Sequence, residues 1–327
     1  MAIVYVREQG TVIHKEYLQM VISKGKNKLR KIPLNCVEQL MVFGNIQITT
    51  QLMEYFLREN VEIHFFSYGG YFLGSCTGEH SRNIFLRCAQ YEFFSDMEKK
   101  TSIAAMLLKQ KILNQLAVLR HYRGPVSDEK EWKAYQVRLK ELASSMEMQS
   151  SVPEMMGVEG LASNIYFKAF GQMLQSELKF TKRTRRPPKD PVNAVLSLTY
   201  TFMTRDMCSI LEGHSFETYL GFLHGVRYGR KSLPLDLIEP FRQPVGDRLV
   251  LRLFNKRILS SYDFEEDEGE GILLNQDGFQ KFCYEYEKWM GSRKDGESYR
   301  NLMRNEAKSL RNLIQYGEVF EPWAWEI

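Results

Sequence analysis

With 327 residues, 44% of them hydrophobic and 26% charged, and a net charge of +4, the chain has the balance of an ordinary globular protein and length enough for two domains. That balance excludes global disorder, and no apolar run approaches the roughly 20 residues that a membrane helix requires. The start MAIVYVREQG lacks the basic beginning and apolar stretch of a secretory signal. Cys36, Cys76, Cys88, Cys208 and Cys283 are odd in number and form no CxxC, so buried thiols in a reducing, cytoplasmic setting are expected rather than disulfides or a zinc site.

The first eighty residues read as strand. Short β-branched or aromatic runs over Ala2–Arg7, Thr11–Lys15, Tyr17–Ser23 and Val37–Phe43 are separated by turn formers. One helix interrupts them, with Thr49 or Thr50 at its N-cap and Leu52, Tyr55 and Phe56 at helical spacing. VEIHFF then leads through a Gly69-Gly70 turn into YFLGSC. From Asn83 onward apolar residues recur every three or four positions, through Asn83–Phe94, Lys99–His121 and most of the remainder. The expected fold class is α+β: a small N-terminal β-sandwich-like domain with one helix (residues 1–78), then a larger all-α domain (79–327) that carries the chemistry.

Four residues in the second domain are candidates for that chemistry. Glu159 stands between Gly157 and Gly160 and is expected in the first turn of a helix, with small neighbours that leave its carboxylate approachable. His224 is flanked by Gly221 and Gly225 after an amphipathic run from Phe216 to Leu223. Asp236 and Glu239 are three apart, as on one face of a helical turn. Singly, each is better explained as a dipole partner, a surface histidine or a solvated acid. Together, carboxylates with one imidazole suit a hard divalent cation, Mg²⁺ or Mn²⁺, that activates a phosphodiester. No GxxxxGK[ST], GxGxxG or GxSxG motif offers a competing chemistry.

Basic clusters flank these residues. KFTKRTRRPPK contains Lys182, Arg183, Arg185 and Arg186, and further clusters hold Arg227, Arg230 and Lys231, then Arg242 and Arg248. Such clusters are most often solvated faces, but beside candidate metal ligands they are expected to hold DNA phosphates. The acidic stretch Asp263–Glu270 is read as a solvated insertion. FEPWAWEI, with Phe320, Trp323 and Trp325, is either a tail that docks on another protein or one that packs on its own domain.

GVEG, GFLHG and LDLIEPFR, in that order and spacing, resemble phrases of the CRISPR-associated endonuclease and integrase of the adaptation module, the Cas-one family. The stretch from FGNIQITTQ to YFLGSC resembles that family's β domain, RCAQYEF (Arg87, Gln90) the start of its first long helix, and Asn193 and Tyr200 another helix. Thr199 departs where a glycine often precedes that tyrosine. The resemblance spans nearly the whole chain and implies Glu159, His224 and Glu239 as metal ligands, with Asp236 as a supporting acid whose ligation is less sure. It further implies homodimerisation through the β domain and assembly with a small ferredoxin-like partner. The implied activity is insertion of short DNA duplexes (spacer precursors) into CRISPR repeat DNA by attack of a 3′-hydroxyl. The rival reading is a stand-alone nuclease acting on branched DNA. A decayed scaffold and a small-phosphoester hydrolase are weaker alternatives.

Overall fold

A computed structural model of the chain describes residues 2–78, 83–122, 124–184, 187–266, 271–294 and 296–325. The N-terminal part comprises β1 (Ala2–Val6), β2 (Thr11–Glu16), β3 (Gln19–Lys24), β4 (Asn27–Pro33), β5 (Val37–Phe43), β6 (Ile46–Ile48), α1 (Thr50–Arg58), β7 (Glu62–Phe66) and β8 (Phe72–Cys76). They form two four-stranded sheets, β1-β5-β7-β8 and β4-β3-β2-β6. The first is parallel except for β7–β8, and the second is antiparallel except for β2–β6. Between them lies a core of Val4, Val6, Ile13, Met20, Leu40, Val42 and Ile63, closed by Leu52 and Phe56 of α1.

Two of these strands are not evident in the sequence. β4 is almost wholly exposed and carries Lys28, Arg30 and Lys31, the charged character of a protected sheet edge, and β6 has only three residues. The third expected strand begins two residues late. Pairing of Glu16 with Gln19 closes a two-residue turn, in which Tyr17 takes a φ of 54°.

The first sheet is buried on both faces, which explains the nearly continuous apolar run of β5. Val42 points into the sandwich, while Met41 and Phe43 point into the larger core of the helical part. There Phe43 stacks on Phe66 at 4.6 Å and meets Phe279 edge-on at 4.7 Å, and Tyr5 stacks on Phe202 at 5.5 Å. One core therefore crosses the expected boundary near residue 78.

The helical part contains α2 (Ile84–Ser95), α3 (Met97–His121), α4 (Glu129–Ser145), α5 (Val152–Met173), α6 (Pro191–Gly213), α7 (Ser232–Leu237), α8 (Arg248–Asn255), α9 (Gln276–Met290) and α10 (Tyr299–Tyr316). It also carries two short hairpins absent from the sequence reading, β9 (Phe264–Glu266) with β10 (Ile272–Leu274), and β11 (Arg293–Lys294) with β12 (Glu297–Ser298). Residues 267–270 of the acidic stretch lie outside the described residues. Of the five thiols only Cys208 and Cys283 are buried. Cys36 and Cys88 are exposed, because the expectation rested on residue type and not on which strand or helix face each occupies.

The C-terminal tail packs on its own domain. Trp325 and Phe320 are buried, and Trp323 stacks on Phe241 at 4.6 Å. The Trp323 N–H donates to Glu306 at 2.9 Å, leaving the other Glu306 oxygen without a partner among the described residues. Burial pushes this carboxyl up to about 8. Because the folded value lies above the unfolded one, stability is highest below the usual carboxylate range and falls as pH rises toward 8. Glu306→Gln is expected to flatten that decline, so that from pH 6 to pH 9 its melting temperature drops less than that of the wild type. The difference should be a few kcal/mol, on the scale of about 1.4 kcal/mol per pH unit. Parallel melting-versus-pH curves would refute this.

Candidate active site

α3 crosses the middle of the helical part and supplies the centre of the site. Its inward stripe of Leu107, Leu108 and Ile112 also carries Lys111, Asn114 and Gln115, all buried. The Lys111 ammonium lies between two carboxylates: it is hydrogen-bonded to Glu159 of α5 and ion-paired with Glu239 at 2.7 Å. Ser163, one turn beyond Glu159, donates to Glu159 at 2.6 Å, and the Arg242 guanidinium lies 3.2 Å from the second Glu239 oxygen. These partners hold charges that burial would expel. Burial raises the Glu159 pKa, yet Lys111 outweighs it and keeps the carboxyl below its ordinary value. Burial acts on Glu239 in the same way, but Arg242, Lys111 and His224 bring it down to about 2. For Lys111 burial opposes the ammonium, and Glu239 and Glu159 together hold its pKa above that of an ordinary lysine.

The local setting of each candidate differs from the sequence expectation. α5 starts at Val152 with Pro153 in its first turn, so Glu159 stands about two turns inside the helix and is not a dipole partner of its N-terminus. A side chain at Gly157 or Gly160 would meet nothing within 4 Å, so the helix surface beside Glu159 is open. The run from Phe216 to Leu223 is not helical, and His224 sits in the irregular segment between α6 and α7. Phe216, Phe222 and Leu223 are buried while Tyr219 is exposed, so the helical spacing of apolar residues there does not mark one buried face. Gln90 of α2 pins the start of this segment in both directions, accepting from the Glu217 N–H at 2.8 Å and donating to the Glu217 carbonyl at 2.9 Å. The Arg87 side chain donates to the Ser215 carbonyl at 3.3 Å.

Asp236 and Glu239 stand in successive helical turns of different type. Asp236 is in α7, and Glu239 opens a 3-10 turn, Glu239–Phe241, which runs into a π-helical turn, Arg242–Asp247. Both Asp236 oxygens are committed. One accepts from the Leu223 N–H at 2.9 Å, the other from the His224 N–H at 3.0 Å and from His224 Nδ1 at 2.6 Å. In this arrangement Asp236 orients His224. A carboxylate that already accepts two backbone N–H groups makes Nδ1 the donor, which leaves the imidazole lone pair on Nε2.

The turn needs Gly221. A Cβ there would lie 2.6 Å from Ser232 Cβ, 2.7 Å from an Asp236 oxygen and 2.9 Å from the His224 carbonyl. Gly221→Ala is expected to lose about 1–3 kcal/mol through overpacking and to displace the imidazole. Thermal unfolding checks the loss, and an unchanged melting temperature would refute it.

Two carboxylates and an imidazole are donors of the kind that suit a divalent cation, and Glu159 and Glu239 already converge on one positive charge. Among the described residues, however, no three His, Cys, Asp or Glu side chains are closed into a chelate. Lys111 stands inside the set. It was not among the sequence candidates, although a lysine within the apolar stripe of a long helix is a visible signal.

The basic candidates divide by their surroundings. Lys182 and Arg227 are exposed, and Tyr228 next to Arg227 is fully so. Arg183 is turned inward, donating to Asn193 at 2.9 Å and Ser197 at 3.0 Å. Arg248 lies over the Trp325 ring at 4.2 Å, and Arg242 over Tyr200 at 4.8 Å while paired with Glu239. Lys231 bonds Glu212, and Arg230 bonds the Gly225 carbonyl and Ser232. Arg183 and Arg248 are half-buried and make these contacts within the chain. Arg185 and Arg186 lie outside the described residues.

The family model for CRISPR associated protein Cas1 matches residues 4–288. The chain belongs to the Cas1 family. It is 33% identical to the CRISPR-associated endonuclease Cas1 3 of Thermus thermophilus, over 98% of this chain and 97% of the relative. It is 32% identical to the CRISPR-associated endonuclease Cas1 1 of Moorella thermoacetica, over 87% and 84%. A Cas1 protein of Thermotoga maritima superposes with a TM-score of 0.84 at 27% identity, covering 99% of this chain and all of that one. A casposase bound to its integration product shares the fold, with a TM-score of 0.83 at 20% identity over 97% of this chain and 92% of that one. The α+β reading, a β-sheet domain followed by a helical one, is thus the fold of this family. Among the described residues no helix is long and apolar enough to cross a membrane.

Proposed function

We propose that this Cas1-family chain is a metal-dependent DNA endonuclease and integrase of CRISPR adaptation. The observation that carries the reading is the convergence of Glu159 and Glu239 on one cationic position beside an imidazole whose tautomer Asp236 sets. Glu159, Glu239 and His224 Nε2 would hold Mg²⁺ or Mn²⁺, which when bound polarises a phosphoryl oxygen and acidifies a water or hydroxyl. Arg242 keeps Glu239 ionised and in place. Asp236, accepting from Nδ1–H, would orient the ring so that the Nε2 lone pair faces the ion. Arg227 and Lys182, exposed near these elements in sequence, would contact DNA phosphates. The reaction is in-line attack of the 3′-hydroxyl of a short duplex on a phosphodiester of repeat DNA, displacing another 3′-oxygen. Water in its place yields simple cleavage, so positioning and charge supply the catalysis. As partners we propose a second copy of this chain, joined through the β domain, and a small ferredoxin-like adaptation protein, acting together in the cytoplasm.

The test is a strand-transfer assay with a short duplex, a supercoiled plasmid carrying the repeat, Mn²⁺ or Mg²⁺ and the small partner. Metal-dependent joined product is the expected result. Cleavage without joining, in the presence of an active partner, would favour the rival reading, a structure-selective nuclease acting on branched DNA.

A further inference from the structure

Lys111 is not needed to hold the fold of α3, whose other inward positions are apolar or hydrogen-bonded amides, yet its ammonium is buried against both acidic candidates. Its partners are the side chains that the proposed metal would need. Glu159 bonds Lys111 and Ser163 through the same oxygen, and Glu239 has one oxygen toward Lys111 and the other toward Arg242. Two carboxylates held together in a buried space repel unless a positive charge lies between them, and here that charge belongs to the chain itself.

We propose that Lys111 is a resident counter-cation: it occupies the cation position between Glu159 and Glu239 in the metal-free protein and must withdraw for a divalent ion to enter. The inference rests on the metal-site reading above and deepens it. Three consequences follow from fixed charge and geometry. The carboxylates stay preassembled without metal, so the site does not splay open. Metal entry exchanges one charge for another and does not fill a vacant acidic cavity, so affinity is lower than the two carboxylates alone would give. The displaced ammonium has a flexible four-carbon stem rooted in α3 and remains beside the site, where it adds positive charge opposite the scissile phosphate.

The experiment is Mn²⁺ binding to the full-length protein by calorimetry, comparing wild type, Lys111→Gln, Lys111→Arg and His224→Ala. Lys111→Gln keeps a donor toward the carboxylates but removes the charge, and is expected to bind Mn²⁺ at least about tenfold more tightly. Lys111→Arg keeps the charge and should bind no more tightly than wild type. Unchanged or weaker binding by Lys111→Gln, while His224→Ala still abolishes binding, would overturn the resident-cation inference and leave the metal site standing. If no Mn²⁺ binding depends on His224, both fall. Should Lys111→Gln fail to fold, the wild type still decides the matter through reductive methylation read by mass spectrometry. Saturating Mn²⁺ should raise modification of Lys111 severalfold, and unchanged modification would overturn the inference.

Discussion

His224→Ala is expected to abolish metal-dependent joining and cleavage, a loss of at least about 10³-fold, while the melting temperature stays within a few degrees of the wild type. The imidazole is partly exposed and stands in an irregular segment, so its removal opens little of the core. What it removes is the one nitrogen donor of the proposed set. Asp236→Asn separates orientation from ligation. An amide cannot accept from the Leu223 and His224 N–H groups and from Nδ1 at once, since its nitrogen must face one of these donors. Metal affinity and activity are then expected to fall by about 10–100-fold, the usual cost of losing the carboxylate behind a ligating histidine. Mn²⁺ titration together with the cleavage rate measures both. If Asp236→Asn matched the wild type, the orienting role would be wrong; if His224→Ala still joined strands, the site itself would be.

Deleting residues from Pro322 onward is expected to destabilise the protein by at least about 5 kcal/mol, since losing one buried tryptophan alone costs about 3–5 kcal/mol. The tail does more than fill space. The Asn114 amide donates to the Pro240 carbonyl at 2.7 Å and to the Trp323 carbonyl at 3.0 Å, and its oxygen accepts from the Trp325 N–H at 3.0 Å. Without the tail, the buried Asn114 amide on α3 loses its bonds to the Trp323 carbonyl and the Trp325 N–H, and the carboxyl of Glu306 loses the Trp323 N–H. Chemical denaturation of the truncated chain checks the magnitude. A stability within about 1 kcal/mol of full length would revive the tail as a docking element for another protein.

Local pattern made much of the molecule legible. The strands of the first half showed through their β-branched runs, α1 through its spacing, and α2 and α3 through a helical period that changed after residue 78. Glu159 and His224 were visible because glycines flank them, and Asp236 and Glu239 because they stand three residues apart; Gly221 is where a Cβ would collide with Asp236. Local pattern failed where tertiary contacts overrule it. The run from Phe216 to Leu223 has helical spacing but is anchored in an irregular path by Gln90 and Arg87, residues more than a hundred positions away.

The sequence by itself determined the family and the α+β class and offered the candidate donors, because period, turn residues and short motifs are local properties. Only the tertiary structure decided what each acid does. The three-residue spacing of Asp236 and Glu239 does not reveal that Asp236 holds His224 while Glu239 pairs with Lys111 and Arg242. Nor does local pattern show that Lys111, on a helix nearly fifty residues before Glu159, stands between the two glutamates. Charges brought together from α3, α5 and the turn after α7 meet only once the core has packed, and that meeting sets the electrostatics of the site.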